Sequence, residues 1–230
     1  VPYDDLEALT ARVDDTVCAI MLEPIIAEGG ILVPSDAYLQ GVRQLCDDKG
    51  LLLIFDEVQT GLGRTGKLFG YEHFGVEPDI FTLAKALGGG FPIGACLAKD
   101  SVAAAFEPGN HASTFGGNHL ACAAGLAAVG VILEDDLVGN AARMGQLLTD
   151  ELLAMQAEVP LVAGVRGKGL LLGLELSEPK GTALDQECRE RGLIVNKLAD
   201  DLLRLAPPLV LTEAEAREGL ALLKDAMLAV

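Results

Sequence analysis

The chain has 230 residues, half of them apolar, a positive mean hydropathy and a net charge of −17. That much apolar material builds one large domain or two smaller ones with a real core, and it excludes a disordered chain. The charge argues against nucleic acid or an anionic membrane as partner, because both are themselves polyanions.

The five cysteines (Cys18, Cys46, Cys96, Cys122, Cys188) stand singly, and the three histidines show no ligand spacing. No metal site is therefore expected, and isolated cysteines fit reduced, cytoplasmic life. No signal peptide opens the sequence. Its most apolar helical stretch, Leu120 to Leu133, is shorter than the roughly 20 residues of a membrane span. Its alanines and glycines read as a buried, closely packed helix.

In chain order, Val17 to Leu22 is a continuous apolar run, the mark of a strand buried on both faces. Ser35 to Lys49 reads as a helix, with Leu39, Val42, Leu45 and Cys46 at helical spacing, Ser35 as N-cap and Gly50 as stop. Leu51 to Phe55 is the next buried strand. Ile80 to Leu83 and Gly94 to Ala98 follow. Apolar strands alternating with helices mean an α/β fold with a mainly parallel sheet. The pattern changes near Glu134. A long helix spans Leu137 to Gln156, and Gly164 to Leu176 is a glycine-punctuated strand. Asp185 to Arg191 reads as helix, with Leu193 to Val195 and Leu202 to Leu205 as short strands. A last helix starts at Thr212, where Thr212 and Glu215 fit a capping box. The expected division is a large domain over residues 1–134 and a small α+β domain over 135–230. The sequence opens at Val1 without a start methionine and enters α/β layering at once, which reads as part of a longer chain.

Gly61-Leu-Gly-Arg-Thr-Gly-Lys-Leu68 imitates both the dinucleotide fingerprint and a phosphate loop. Either would need the glycine turn to open directly into a helix. The residues that follow, 68–75, have no helical period, and Leu68 stands where a phosphate loop has Ser or Thr. A nucleotide-binding domain is thus the weakest of the readings.

Lys85 carries more. It lies in Ala84-Lys-Ala-Leu-Gly-Gly-Gly90, just past an apolar strand, while Asp56-Glu57 closes an earlier one. A lysine before a glycine-rich turn, with a carboxylate at the end of a neighbouring strand, is a way to hold an aldehyde cofactor. From this segment alone, a solvated strand-end lysine reads equally well.

Four stretches together resemble the class III pyridoxal-phosphate aminotransferases of the acetylornithine/ornithine type. They are Leu22-Glu-Pro-Ile-Ile-Ala-Glu-Gly-Gly30, Phe55-Asp-Glu-Val-Gln-Thr-Gly-Leu-Gly-Arg-Thr-Gly66, Pro78 to Gly94 around Lys85, and His111-Ala-Ser-Thr-Phe-Gly-Gly-Asn118. The resemblance runs from about Asp15 to the C-terminus. It implies a fold-type I transferase, with a partial large domain carrying the cofactor and a C-terminal small domain. It also implies the cofactor pyridoxal 5′-phosphate, an ω-amine donor such as acetylornithine, 2-oxoglutarate as acceptor, and a homodimer with a shared active site.

By that resemblance Lys85 is the Schiff-base lysine and proton carrier, and Asp56 keeps the ring nitrogen protonated, with a cap on the next turn as its alternative. Val58 packs on the ring, although an ordinary core valine fits as well. Gln59 bonds the ring's phenolic oxygen and Glu57 flanks the site. Thr114 reaches the cofactor phosphate of the neighbouring subunit. Ser113 touches substrate or is a turn residue. Arg204 binds a substrate carboxylate, and Glu28 pairs with it when a different group must be accepted; solvated surface roles are the alternatives for both. The family's chain is nearly twice as long, and its first half supplies the main phosphate-binding turn and the ring-stacking aromatic. The rival expectation is therefore a non-catalytic half-subunit that needs an N-terminal partner.

Overall fold

Apolar runs in the first part of the chain become a four-stranded sheet in the structure, a computed structural model that describes residues 1–230. A short helix α1 (Leu6–Thr10) precedes strand β1 (Ala19–Leu22). Helix α2 (Asp36–Lys49) then crosses to β2 (Leu52–Asp56), followed by β3 (Ile80–Leu83) and β4 (Ala95–Ala98). The order is β1-β2-β3-β4, with β1-β2 and β2-β3 parallel and β3-β4 antiparallel. Ser35 caps α2 by accepting from the Tyr38 N–H, and Gly50 ends it in the left-handed conformation that glycine adopts without a Cβ clash.

Pleating sends alternate residues to opposite faces. Ile20, Leu53, Phe55 and Leu83 are buried, as are Leu39, Val42 and Cys46 of α2. Met21 between them is 61% exposed, and Cys18 and Cys96 are exposed too. The first strand is therefore buried on one face only, contrary to the reading of its apolar run. Helix α3 (Asp100–Ala103) is a single turn, and α4 (His119–Glu134) starts at the Asn118 cap. Helix α4 also departs from expectation. Only Ala121, Gly125 and Ile132 are buried, whereas Leu120, Leu126, Val131 and Leu133 are exposed. Its hydropathy was legible, but the burial read from it is confined to one narrow face.

The second part is a helix-backed antiparallel sheet. It runs α5 (Leu137–Met155), β5 (Val162–Lys168), β6 (Leu171–Leu176), α6 (Gly181–Glu190), β7 (Asn196–Ala199), β8 (Leu202–Leu205) and α7 (Glu213–Ala229). Strand order is β5-β6-β8-β7. One face of this sheet (Leu172, Leu174, Leu203) shares a core with Leu148 and Leu152 of α5, Leu184 of α6 and Leu220 and Leu223 of α7. The expected capping box at Thr212 is present in both directions.

Two further elements, both in the second part, differ from their expected bounds. Gly164 to Leu176 is a hairpin rather than one strand, since Gly169 at φ 54° reverses the chain between β5 and β6. The strand expected at Leu193 to Val195 begins only at Asn196, because it takes its register from Arg204 in β8, not from its own apolar run.

The chain divides into two units. One comprises Val1–Pro24, Pro34–Leu62 and Leu68–Asp135; the other Ile25–Val33, Gly63–Lys67 and Asp136–Val230. Two short segments from the N-terminal part therefore belong to the second unit, which a single cut in sequence does not express.

Candidate active site

In the first unit the ends of β2 and β3 bring Asp56 and Thr82 into register. Asp56 Oδ1 accepts from the Val58 N–H (2.9 Å) and from Thr82 Oγ1 (3.3 Å). Both bonds fall on one oxygen, leaving Oδ2 for a cationic or N–H partner from outside the chain. Asp79 sets the start of β3. Its carboxylate takes the Leu53 N–H, Arg43 (2.8 Å) and Lys99 (3.0 Å). Burial pulls its proton affinity up, but those three donors outweigh burial and hold it below the usual carboxylate range.

Glu57, next to Asp56, is spent differently. It is 1% exposed, and its carboxylate accepts from Thr60 Oγ1 (2.5 Å), Gly70 N (2.9 Å) and Tyr71 N (2.9 Å). Burial raises its pKa, only partly offset by those donors. Glu57 thus clamps the loop after β2 beside Asp56, an arrangement compatible with the flanking position expected of it.

Lys85 opens a single 3₁₀ turn, Lys85–Gly88, directly after β3. Its side chain is exposed and its φ is 47°. For a residue with a Cβ this left-handed backbone costs about 1–2 kcal/mol. Helix α4 buttresses the turn: a Cβ on Gly125 would lie 3.3 Å from the Leu87 carbonyl oxygen, and one on Gly89 3.3 Å from Ala128 Cβ. Strain held in place by a packed helix marks Lys85 as a residue whose direction matters. The glycine-rich stretch 61–66 runs through turns into the 3₁₀ turn Gly70–His73 and opens no α-helix, so nucleotide geometry is missing there.

Val58 and Gln59 are both half-buried at the end of β2. Ser113 and Thr114 lie on an exposed loop, where Ser113 Oγ accepts from the Gly116 N–H (3.0 Å) and so acts as a turn residue. Phe115 beside them is 82% exposed. Thr82 was missed in the sequence; its signal was a lone hydroxyl in an apolar strand, aligned with Asp56.

The second unit holds the other pair. Arg204 Nη1 donates to Glu28 Oε1 at 2.5 Å, with the arginine side chain 17% exposed and the glutamate 63%. The guanidinium is largely shielded while the carboxylate over it is open to solvent, and a planar guanidinium is suited to bind carboxylates. No group of three or more His, Cys, Asp or Glu side chains is arranged to hold a metal ion.

A parallel sheet edged by an antiparallel strand, an acid at one strand end and a strained lysine after the next define a fold-type I pyridoxal-phosphate transferase. The residues present are compatible with that cofactor: Asp56 Oδ2 accepts no bond within the chain, and Lys85 presents an exposed amine from a turn directly after β3. The family description "Aminotransferase class-III" matches residues 2–227, and the chain belongs to this family. It is 50% identical over 227 residues to an acetylornithine aminotransferase of Caldanaerobacter subterraneus, covering 99% of this chain and 58% of that protein. An acetylornithine aminotransferase of Gloeobacter violaceus is also 50% identical, over 97% of this chain and 56% of the relative. Among solved structures, an ornithine aminotransferase from Plasmodium yoelii matches with a TM-score of 0.93 at 41% identity, over 100% of this chain and 62% of that one. An acetylornithine aminotransferase from Elizabethkingia anophelis gives 0.93 at 38% identity, over 100% and 59%. The chain thus spans less than two thirds of the length of these relatives.

Proposed function

We propose that the whole enzyme to which this chain belongs moves an amino group from an ω-amine donor, acetylornithine first, to 2-oxoglutarate. Residues 1–134 contribute to its cofactor-binding domain and residues 135–230 to its small domain, which segments 25–33 and 63–67 join. Bound pyridoxal phosphate supplies the electron sink and the carbon that carries the amino group between half-reactions. Asp56 Oδ2 holds the proton on the ring nitrogen. Lys85 Nζ would hold the cofactor's aldehyde and, once displaced by substrate, would take up and return the proton of the substrate carbon bearing the amino group, for which its amine must be unprotonated. Val58 and Gln59 fix the ring from the end of β2, and Glu57 braces that loop.

The observation that carries the reading is the Arg204–Glu28 pair. A dicarboxylate displaces Glu28 and takes Arg204; an ω-amine donor leaves the pair closed. One arginine then serves both half-reactions. Ser113 and Thr114 stand on an exposed loop, which suits contact with substrate and cofactor phosphate in a second copy, hence a homodimer. Five free cysteines suit the cytoplasm, and no helix is long and apolar enough to cross a membrane.

A second reading concerns the 230 residues by themselves. The exposed Met21, Leu120, Leu126 and Leu133 favour a half-subunit that binds cofactor only with an N-terminal part. One experiment addresses both. The whole enzyme and the 230-residue chain are incubated with pyridoxal phosphate, reduced with borohydride and mapped by mass spectrometry. The whole enzyme should carry one adduct on the Lys85 peptide, lost in Lys85→Ala together with at least about 10³-fold of transamination. Labelling elsewhere that survives Lys85→Ala would sink the assignment. Stoichiometric labelling of the short chain would sink the half-subunit reading.

A further inference from the structure

The second face of the β5-β6-β8 sheet carries an arrangement that the switch alone does not require. Cross-strand partners share a face. Arg166 of β5 pairs with Gly173 of β6, and Gly173 pairs with Arg204 of β8. Two arginines thus stand in one row with a glycine between them. The gap over Gly173 is filled from above by the loop 25–33: a Cβ on Gly173 would lie 3.3 Å from Ile31 Cβ and 3.4 Å from Arg166 Cγ. That loop is closed at its base by paired bonds between Ile26 and Leu32. Ile25, Ala27 and Ile31 are fully buried, and Glu28 stands at the exposed tip.

Arg166 grips this loop. Its Nε donates to the Gly30 carbonyl (2.8 Å), and its Nη1 donates to Glu175 Oε1 (2.6 Å). Glu175 in turn lies over another glycine, Gly164, where a Cβ would come within 2.6 Å of its Oε2. The loop needs a grip, because Ile31 has φ 53° and Gly30 has φ 120°. A β-branched residue in the left-handed region does not stay there unaided. A cavity of about 530 Å³ opens beside the grip, lined by Glu28, Gly29, Gly30, Arg166, Glu175 and Asp201 among others. The Glu28 side chain therefore has room to leave Arg204 while its backbone stays fixed.

We infer that Arg166, steadied by Glu175, is the positioning residue of the Glu28 switch. It holds the loop backbone so that only the Glu28 side chain moves, and it thereby sets how the enzyme divides its preference between ω-amine donor and dicarboxylate. The inference rests on the switch proposed above. A planar guanidinium suits the task, since one fork serves the carbonyl and the carboxylate together and a lysine does not.

The test uses the whole enzyme with Glu28→Gln, Arg166→Met and Arg166→Lys. Two quantities are read: the ratio of kcat/KM for acetylornithine to that for glutamate, and amide exchange across residues 25–33. Glu28→Gln should shift the ratio toward glutamate. Arg166→Met should shift it the same way by about tenfold, the worth of one charge-assisted hydrogen bond. It should also speed exchange at Gly30, Ile31 and Leu32 without speeding it in β6 or β8. Arg166→Lys should recover part of both. An unchanged ratio in Arg166→Met, or faster exchange spread evenly over the second unit, would overturn the inference while leaving the switch intact. An unchanged ratio in Glu28→Gln would remove the switch itself and the inference with it.

Discussion

The two units of this chain solve burial in opposite ways. The second closes its sheet with three helices over one contiguous apolar core that runs from Ala141 to Met227. The first has a sheet packed on one face, with Met21 61% exposed on the other, and a helix, α4, whose leucines point outward. Its internal order leans on polar ties instead: Asp79 with Arg43 and Lys99, and Glu57 with Thr60, Gly70 and Tyr71. Apolar burial contributes in proportion to area removed from water, so the second unit is the self-sufficient one. The residues proposed for cofactor chemistry lie in the unit that is less complete by itself.

The largest expected effect tests that contrast from the apolar side. Leu203 is fully buried in the core of the second unit. Leu203→Ala should cost about 3 kcal/mol, the usual range for a core leucine. In the 230-residue chain the second unit should melt at the higher temperature, and this variant should lower that step by about 10–20 °C. Calorimetry reads it. A single transition, or a drop confined to the lower step, would break the comparison.

Much of this contrast was legible in the sequence, and the failures share a cause. Ser35 and Gly50 bounded α2, and Thr212 with Glu215 opened α7, because caps are local chemistry that the residues themselves complete. The strand-end positions of Lys85 and Asp56 were legible because the apolar runs before them are local. Burial was not. The apolar composition of β1 and α4 says that they meet something, but not whether that partner lies within these residues. Register was not legible either: Leu193 to Val195 has strand composition, yet the strand begins at Asn196 because β8 decides it. Glu57 read as a site residue beside Asp56. Only the fold shows its carboxylate turned to Gly70 and Tyr71.

From the polar side, the next test is Asp79→Asn. The carboxylate has a side-chain exposure of 14% and joins Arg43, itself 17% exposed, and Lys99. Removing its charge should cost the first unit about 2 kcal/mol, less than a fully buried pair because Lys99 is open to water. The sign with pH follows from its lowered pKa. The native state favours the ionised form, so the stabilisation is full above the ordinary value of 3.8 and is lost as pH falls through the depressed one. Urea melts at pH 7 should separate wild type from Asp79→Asn in the first unit, and the gap should close in acid below the ordinary value. A gap that stays constant with pH would mean that the residue acts through shape and not charge.

The smallest effect is the sharpest on what the first unit lacks. Leu126 of α4 is 78% exposed. In the 230-residue chain, Leu126→Ser should change unfolding free energy by no more than about 0.5 kcal/mol, because a surface site loses almost no burial and serine lowers helix propensity only slightly. It should make the isolated chain less prone to self-association, since it removes one of four exposed apolar side chains on one helix (Leu120, Leu126, Val131, Leu133). In the whole enzyme, if a second copy or the N-terminal part covers that helix, the same change should cost about 2 kcal/mol or more, as a buried leucine does. Sedimentation of the short chain and denaturant melts of the whole enzyme separate the two. A neutral result in both would mean that α4 faces water in the assembled protein, and the proposal that the first unit is completed over this helix would fail there while standing for the open face around Met21.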